Sequence, residues 1–313
     1  MARYADRSLA LAYTGLVLTP LFWAGNAVVA RGVVDTIPPV SLAFWRWVIA
    51  LAILLPIGLS GIRREWPVIR DHWPRVLILA LFSVASFNTL LYVAATTTTA
   101  INIALINSTI PIMVALLAFL LLGERTRPAQ GIGIAVALTG VLMVIGQGTL
   151  GRLISLSFSP GDLVMVAAVT SWGIFSVLLR RLSIPLSSLT FLSIQIALGT
   201  VLLTPVYLID LLLVSGGFTL SASTIPPLLY VAIFPGILAY AFWNHGVWAV
   251  GPSRAAIFMY LVPVFASVLA WLFLDERLGW YHLTGGALIL VGLFLTTRNP
   301  PVPAKASAAN PER

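Results

Sequence analysis

The sequence contains no cysteine and few charged residues. Without cysteine the chain can form no disulfide, no thiolate nucleophile and no cysteine-ligated metal site. Only 9% of the residues are charged, whereas 59% are hydrophobic, and the mean hydropathy is +1.01. A soluble globule of 313 residues with this composition would expose too much apolar surface to water. The composition therefore predicts a membrane protein.

The net charge of +8 does not indicate a nucleic-acid partner, because the basic residues stand singly or in pairs rather than in a dense patch. The apolar runs are continuous for roughly 20 residues, the length of a membrane-spanning helix and about twice that of a barrel strand. We therefore predict an all-α membrane protein. Its ten predicted spans are residues 9–30, 38–60, 74–95, 99–122, 128–147, 160–182, 187–213, 225–248, 252–274 and 279–297.

The distribution of Lys and Arg predicts the orientation, since cytoplasmic loops are enriched in these residues. If the N-terminus is cytoplasmic, Arg31, Arg152 and Arg277 are the loop cations on the outer side. Ten spans, an even number, also require both termini to lie on the same side. We therefore expect cytoplasmic tails at 1–8 and 298–313, the second of them disordered. The basic residues then on the cytoplasmic side are Arg3, Arg7, Arg63, Arg64, Arg70, Arg75, Arg125, Arg127, Arg180, Arg181, Arg254, Arg298, Lys305 and Arg313.

One stretch of sequence occurs twice. PIMVALLAFLLLGER at 111–125 and PVFASVLAWLFLDER at 263–277 are 152 residues apart and share seven of fifteen positions. The match extends over three consecutive spans and continues weakly upstream, where Trp23 aligns with Trp172. A chance likeness of Leu/Ala-rich helices is the alternative, but the Pro, Glu-Arg and Gly positions are all in register. The first span also fits a signal peptide, and its match to the sixth span indicates that it is retained.

The repeat predicts two five-helix halves, residues 9–147 and 160–297. Because five is odd, the second half enters the membrane from the opposite side, so the two halves are inverted. Inverted repeats are typical of secondary transporters, in which exchanging the conformations of the halves opens a central cavity to one side and then to the other.

The five-plus-five pattern resembles a known family. Phe44-Trp45-Arg46 in the second span and the LGER and LDER endings of the fourth and ninth spans resemble EamA-type members of the drug/metabolite transporter superfamily. The pattern is most similar to the YddG-type amino-acid exporters of bacterial inner membranes. This resemblance implies export of amino acids, aromatic ones included, by alternating access.

Two pairs of polar residues are candidates for the cavity wall. Asn88 and Tyr92 are four residues apart and share a helix face, as do Tyr240 and Asn244. The 152-residue shift aligns Asn88 with Tyr240 and Tyr92 with Asn244, so the two helices carry the pair in swapped order. Such groups suit a zwitterion with a hydrophobic side chain. The alternative is hydrogen bonding between helices, at roughly 0.6 kcal/mol per contact.

Further candidates each allow two interpretations. Trp23 and Trp172 lie well inside their spans, where they either line a cavity or pack. His245 either carries a proton or is a neutral histidine near a helix end. Arg46 either binds a substrate carboxylate or extends to the interface between its neighbouring tryptophans, and the family resemblance favours a structural or gating role. The weaker cavity candidates are Asn102, Asn107, Met259 and Gln195.

Other repeated residues are predicted to be structural. Pro111 and Pro263 interrupt their helices and are candidate hinges, or bends without motion. Two Glu-Arg pairs end their helices, and we expect them to fasten loops; they are Glu124 with Arg125 and Glu276 with Arg277. Two pairs of glycines lie two helical turns apart, and we expect them to allow close packing within the chain or against a second protomer; they are Gly133 with Gly140 and Gly285 with Gly292.

These features favour a solute exporter over an intramembrane enzyme or a channel, and we expect no enzymatic activity, no cofactor and no metal site. A metal site needs several convergent ligands, and none gather in the sequence. No Asp or Glu falls at the predicted bilayer midplane, which disfavours carboxylate-driven antiport and favours facilitated export down a gradient. The cargo is predicted to be a neutral or zwitterionic amino acid. A nucleobase or nucleoside and a lipophilic cation remain alternatives, and either a monomer or a homodimer is compatible with the sequence.

Overall fold

The structure is a computed structural model that describes residues 2–33, 35–95, 97–98, 100–124, 127–156, 159–273 and 278–297. Within these ranges the side chains of residues 2–8, 31, 92, 95, 100, 101 and 270 are not described. The described part is all helical and contains no strand. The predicted tail at 298–313 lies outside it, as do Arg125, Glu276 and Arg277.

Ten helices in the described part are long and apolar enough to cross a membrane, which confirms the predicted fold class. Several begin at proline, because the first turn of a helix has no use for the backbone N–H that proline lacks. Their bounds are α1 Leu9–Ala30, α2 Pro39–Arg64, α3 Trp66–Leu91, α4 Asn102–Leu122, α5 Pro128–Ile145, α6 Pro160–Leu182, α7 Ser188–Ser215, α8 Ile225–Val250, α9 Pro252–Phe273 and α10 Trp280–Thr297.

The largest departure from the predicted bounds is in α3, which begins at Trp66 rather than at Pro74. The added residues include Arg70 and Asp71, both exposed. A polar extension of this kind is invisible to a search for apolar runs. We call the end of the bundle at which α1 begins the inner end and the opposite end the outer end, after the predicted orientation.

Four spans contain interruptions at related places. The α3 and α8 helices widen into π-helical turns at Leu81–Ser86 and Ala232–Leu238. The α4 helix breaks after Asn107 and resumes at Ile110, and α9 contains a 3₁₀ turn at Phe258–Tyr260. The 152-residue shift brings the two π-helical turns onto each other within one residue, and it brings Ser108 at the α4 break onto Tyr260 in the α9 turn. Pro111 and Pro263 follow the breaks, so the interruptions precede the prolines rather than coinciding with them.

The α5 and α10 helices pack directly on each other through their glycines. A Cβ atom on Gly140 would lie 2.5 Å from the Gly285 carbonyl oxygen, and one on Gly292 would lie 2.4 Å from the Gly133 carbonyl oxygen. Residue numbers rise along α5 as they fall along α10, so the two helices are antiparallel. Since they occupy matching places in the two halves, this is the arrangement that an inverted repeat requires. The inverted repeat itself stays a prediction.

We predict that Gly140→Ala lowers the thermal unfolding midpoint of the detergent-solubilised protein, because the added methyl group meets a backbone oxygen that cannot rotate away. Overpacking of this kind costs about 1–3 kcal/mol. Gly131→Ala is the matched control, since a Cβ at Gly131 on the same helix meets nothing within 4 Å. Equal midpoints for the two variants would contradict the close packing.

Candidate functional site

A cavity of about 540 Å³ lies between helices of both predicted halves. This volume is within the range of small-molecule sites. Its wall is mostly apolar, and helices α1 to α6, α8 and α9 contribute to it. The predicted candidates that line it are Trp23, Arg46, Asn88, Asn107, Trp172, Tyr240, Met259 and Pro263.

The floor of the cavity is an aromatic cluster. Trp23 and Trp172, which the repeat aligns, meet edge to face with ring centroids 5.2 Å apart. Tyr240 lies edge-on to Trp172 at 5.7 Å. Trp172 and Tyr240 are only 2% and 3% exposed, whereas Ala27 and Ala104 in the same wall are exposed. The floor is therefore buried while wall residues nearer the outer end are exposed, which indicates that the cavity opens at the outer end.

Backbone carbonyl groups of the two widened turns hold the floor in place. The Tyr240 hydroxyl donates to the Ser83 carbonyl oxygen at 3.1 Å, and the Trp23 indole N–H donates to the Pro235 carbonyl oxygen at 3.3 Å. Ser83 and Pro235 are 152 residues apart, at equivalent places in the repeat. A π-helical turn disrupts the regular hydrogen-bond ladder, which leaves carbonyl groups to bond with neighbouring helices.

Arg46 lies in the wall of the cavity and does not extend to the interface. It is 5% exposed, and its Nη2 donates to Asn88 Oδ1 at 2.8 Å. Its guanidinium lies 4.5 Å from the centroid of the Trp47 ring. The preceding Trp45 points elsewhere, donating its indole N–H to the Tyr207 hydroxyl at 3.1 Å. Among the lining residues that the structure describes, Arg46 is the only charged one.

The breaks in α4 and α9 also face the cavity. Asn107 and Ser108 line it at the α4 break, and Met259 and Tyr260 line it at the α9 turn. Asn107 Oδ1 and the Tyr260 hydroxyl have no hydrogen-bond partner among the described residues. Pro111 is buried behind the wall.

Asn244 and His245 do not line the cavity. Asn244 lies one helical turn beyond Tyr240 toward the inner end, and its Nδ2 donates to Gln195 Oε1 at 3.0 Å. Gln195 Nε2 in turn donates to Ser83 Oγ at 2.9 Å. This chain of amides and a hydroxyl is buried beneath the floor and joins α3 to α7 and α8. His245 is partly buried, and its Nε2 has no partner among the described residues.

The inner end of the bundle is closed. The Arg180 guanidinium donates to the Trp248 carbonyl oxygen, and the Trp248 indole donates to the Leu179 carbonyl oxygen at 3.2 Å. Ser253 Oγ donates to Glu124 Oε2 at 3.2 Å. Burial raises the pKa of Glu124, although the hydrogen bond from Ser253 and the charges of Arg180 and Arg254 act in the opposite direction. Glu124 thus fastens the end of α4 to the start of α9.

The other candidates have different positions. Asn102 donates to both carboxylate oxygens of Asp162 at 3.0 Å, which ties the start of α4 to the start of α6. The Tyr92 side chain lies outside the described part, as do Arg125, Glu276 and Arg277. No group of three or more His, Asp or Glu side chains in the described ranges could hold a metal ion.

Sequence reasoning missed several residues of the wall, including Asn26, Phe87, Ser108 and Tyr260. Asn26 follows Trp23 by three residues, so helix periodicity alone places the two on one face. Phe87 precedes Asn88, and its apolar side chain does not distinguish it from the other apolar residues of the span. Ser108 and Tyr260 lie at interruptions in the helices, whose local geometry the amino-acid pattern does not reveal.

We predict that Gln195→Leu destabilises the protein because it leaves the buried Asn244 amide without its acceptor. An unpaired buried polar group costs about 1–3 kcal/mol. The double variant Gln195→Leu/Asn244→Leu is expected to recover part of this loss, because no buried donor is then left unpaired. The measurement is the thermal midpoint in detergent of both single variants and the double variant. Strictly additive losses would mean that the amides do not interact.

Comparison with known protein families and sequences matches this chain to transporters. The model of the EamA-like transporter family matches twice, over residues 10–146 and 159–298, within one residue of the predicted halves. An uncharacterized transporter of Archaeoglobus fulgidus is 28% identical over 90% of this chain and 96% of its own length. A protein of Streptantibioticus cattleyicolor named a probable terminal-alkyne amino-acid exporter is 27% identical, over 93% of this chain and 94% of its own.

A solved crystal structure with 20% sequence identity superposes with a TM-score of 0.76, over 94% of this chain and 98% of that chain. At this identity the likeness establishes the fold alone. The family match covers nearly the whole of both halves, and relatives across their full length are transporters. With the ten apolar helices and the cavity between them, these matches establish that the chain belongs to the EamA-like transporter family.

Proposed function

We propose that this transporter exports amino acids, neutral and aromatic ones included, across the bacterial cytoplasmic membrane. The observation that carries the proposal is the cavity, which combines an apolar, aromatic floor with one guanidinium and several amide and hydroxyl groups. An amino acid presents the same combination, a hydrophobic side chain beside charged groups. The relative named as an amino-acid exporter supports the same cargo class. Arg46 disfavours a lipophilic cation, because like charges repel within the cavity.

Alternating access explains the difference between the two ends of the bundle. The cavity opens at the outer end, while contacts of Glu124, Arg180 and Trp248 close the inner end. Export requires the inner end to open and the outer end to close. The interruptions before Pro111 and Pro263 are the proposed hinges, because helices bend where their hydrogen-bond ladder is broken. The proposed cycle retains the two inverted halves and both termini on the cytoplasmic side.

The direct test of the cargo class is counterflow in proteoliposomes with labelled amino acids, nucleosides and a cationic dye. We expect saturable, stereoselective exchange of amino acids. Trp172→Ala is expected to reduce the transport of aromatic amino acids about tenfold, the equivalent of one lost aromatic contact of about 1.4 kcal/mol. Trp271→Ala is the control, since this tryptophan of α9 is 52% exposed and does not line the cavity. Movement of nucleosides or dye without amino acids would overturn the proposed cargo.

The conformational cycle has a separate test, which uses the absence of native cysteine. Ser83 is fully buried between the cavity floor and the closed inner end. In Ser83→Cys, labelling by a membrane-impermeant maleimide from the inner side is expected to change severalfold when cargo is added. The exposed Ser188→Cys at the inner start of α7 is expected to react at a constant rate. A labelling rate of Ser83→Cys that is the same with and without cargo would contradict alternating access.

A further inference from the structure

The guanidinium of Arg46 is a buried charge that has no carboxylate partner in the part of the chain that the structure describes. The ion pairs of the described residues do not include it, and its one hydrogen bond is the bond to neutral Asn88. A buried charge without a counter-ion is strongly unfavourable. Charged residues placed inside a membrane protein are, for this reason, usually functional. No described residue supplies the counter-charge, which points to a ligand in the cavity as its source.

Three contacts hold the guanidinium in a fixed position. Asn88 accepts a hydrogen bond from it at 2.8 Å and is itself held by donation from Nδ2 to the Val84 carbonyl oxygen at 3.1 Å. Trp47 supports its face at 4.5 Å. The widened turn of α8 passes close to its aliphatic stem, since a Cβ on Gly236 would lie 3.6 Å from Arg46 Cγ. This arrangement fixes the side chain before any ligand binds.

The fixed guanidinium also has unused hydrogen-bonding capacity. Arginine carries five N–H donors in a planar fork that matches the two oxygens of a carboxylate. One bond to Asn88 leaves most of these donors unused, and the Nε–H has no partner among the described residues. Lysine would offer charge without this geometry.

We propose that Arg46 is the binding site for the carboxylate of the cargo, with Asn88 as its positioning residue. The proposal rests on the proposed function and adds a selection rule to it. Cargo with a free carboxylate is bound, and an otherwise identical molecule without one is rejected. The competing explanation is that the Arg46–Asn88 bond merely joins α2 to α3. The two explanations differ in selectivity, because a structural bond affects all cargo alike.

The test uses four compounds that share one phenyl side chain: phenylalanine, 3-phenylpropionate, phenylalaninamide and phenethylamine. Binding and counterflow are measured with the full-length protein in liposomes. The wild type is expected to bind the two carboxylates about ten- to a hundredfold more tightly than the two compounds without one, as expected for a charge-assisted hydrogen bond. Equal affinities across the four compounds would overturn the proposal without requiring any variant to fold.

Two variants separate the carboxylate site from a structural bond. Arg46→Gln is expected to remove the preference for carboxylates, because it weakens binding of the two carboxylates and relieves the repulsion of the cationic amide and amine. Asn88→Asp is nearly isosteric and places an internal carboxylate beside Arg46, so it is expected to stabilise the fold and yet weaken carboxylate binding by a similar factor. Arg181→Gln is the matched control, since this arginine is exposed at the inner end of α6.

The outcomes separate the two proposals. If Arg46→Gln weakens all four compounds equally, or if Asn88→Asp retains full carboxylate binding, Arg46 is structural and the amino-acid function is unaffected. If phenylpropionate moves and phenylalanine does not, and the preference is lost in Arg46→Gln, the carboxylate site stands and the proposed cargo is wrong.

Discussion

Hydrocarbon cannot hydrogen-bond a peptide group, and this constraint determines how the cavity of this protein is built. A helix that departs from regular geometry inside a bilayer must find partners for the carbonyl groups it releases. In α3 and α8 the partners include the Ser171 hydroxyl, which donates to the Phe82 carbonyl oxygen. They also include two aromatic side chains, the Tyr240 hydroxyl and the Trp23 indole. These last two bonds position the rings of the floor. The same hydrogen bonds therefore give the backbone carbonyl groups their partners and shape the binding surface.

The sequence predicts the features that depend on spacing along one helix. Ten apolar runs appear as ten helices, the glycine pairs meet, and Trp23 and Trp172 come together where the repeat aligns them. The sequence does not predict how deep in the bundle a residue lies. Asn244 shares a face with Tyr240, as predicted, but it lies one turn below the floor, where the cavity has already ended. Periodicity specifies a face of the helix, whereas the level at which the neighbouring rings close the space is a property of the assembled bundle.

The amphipathic character of the site comes from two layers. The outer layer is open and contains the guanidinium of Arg46 with the broken segments of α4 and α9. Beneath it the aromatic floor separates the cavity from the network of Ser83, Gln195 and Asn244, which is buried. Contacts at the inner end close the bundle below this network. A cargo that binds in the upper layer thus lies directly above this buried, hydrogen-bonded network. Any inward opening has to separate helices that those buried hydrogen bonds now join.

The use of carbonyl groups at Ser83 and Pro235 has a consequence for how such a protein can diverge. A main-chain acceptor belongs to every amino acid, so these positions hold a hydroxyl-bearing residue in one half and an imino acid in the other without loss of the bond. Substitution at these positions changes the amino acid and leaves the main-chain carbonyl group available to accept its hydrogen bond. Identity scores between the halves, or between distant relatives, accordingly underestimate how much of the binding architecture two chains have in common.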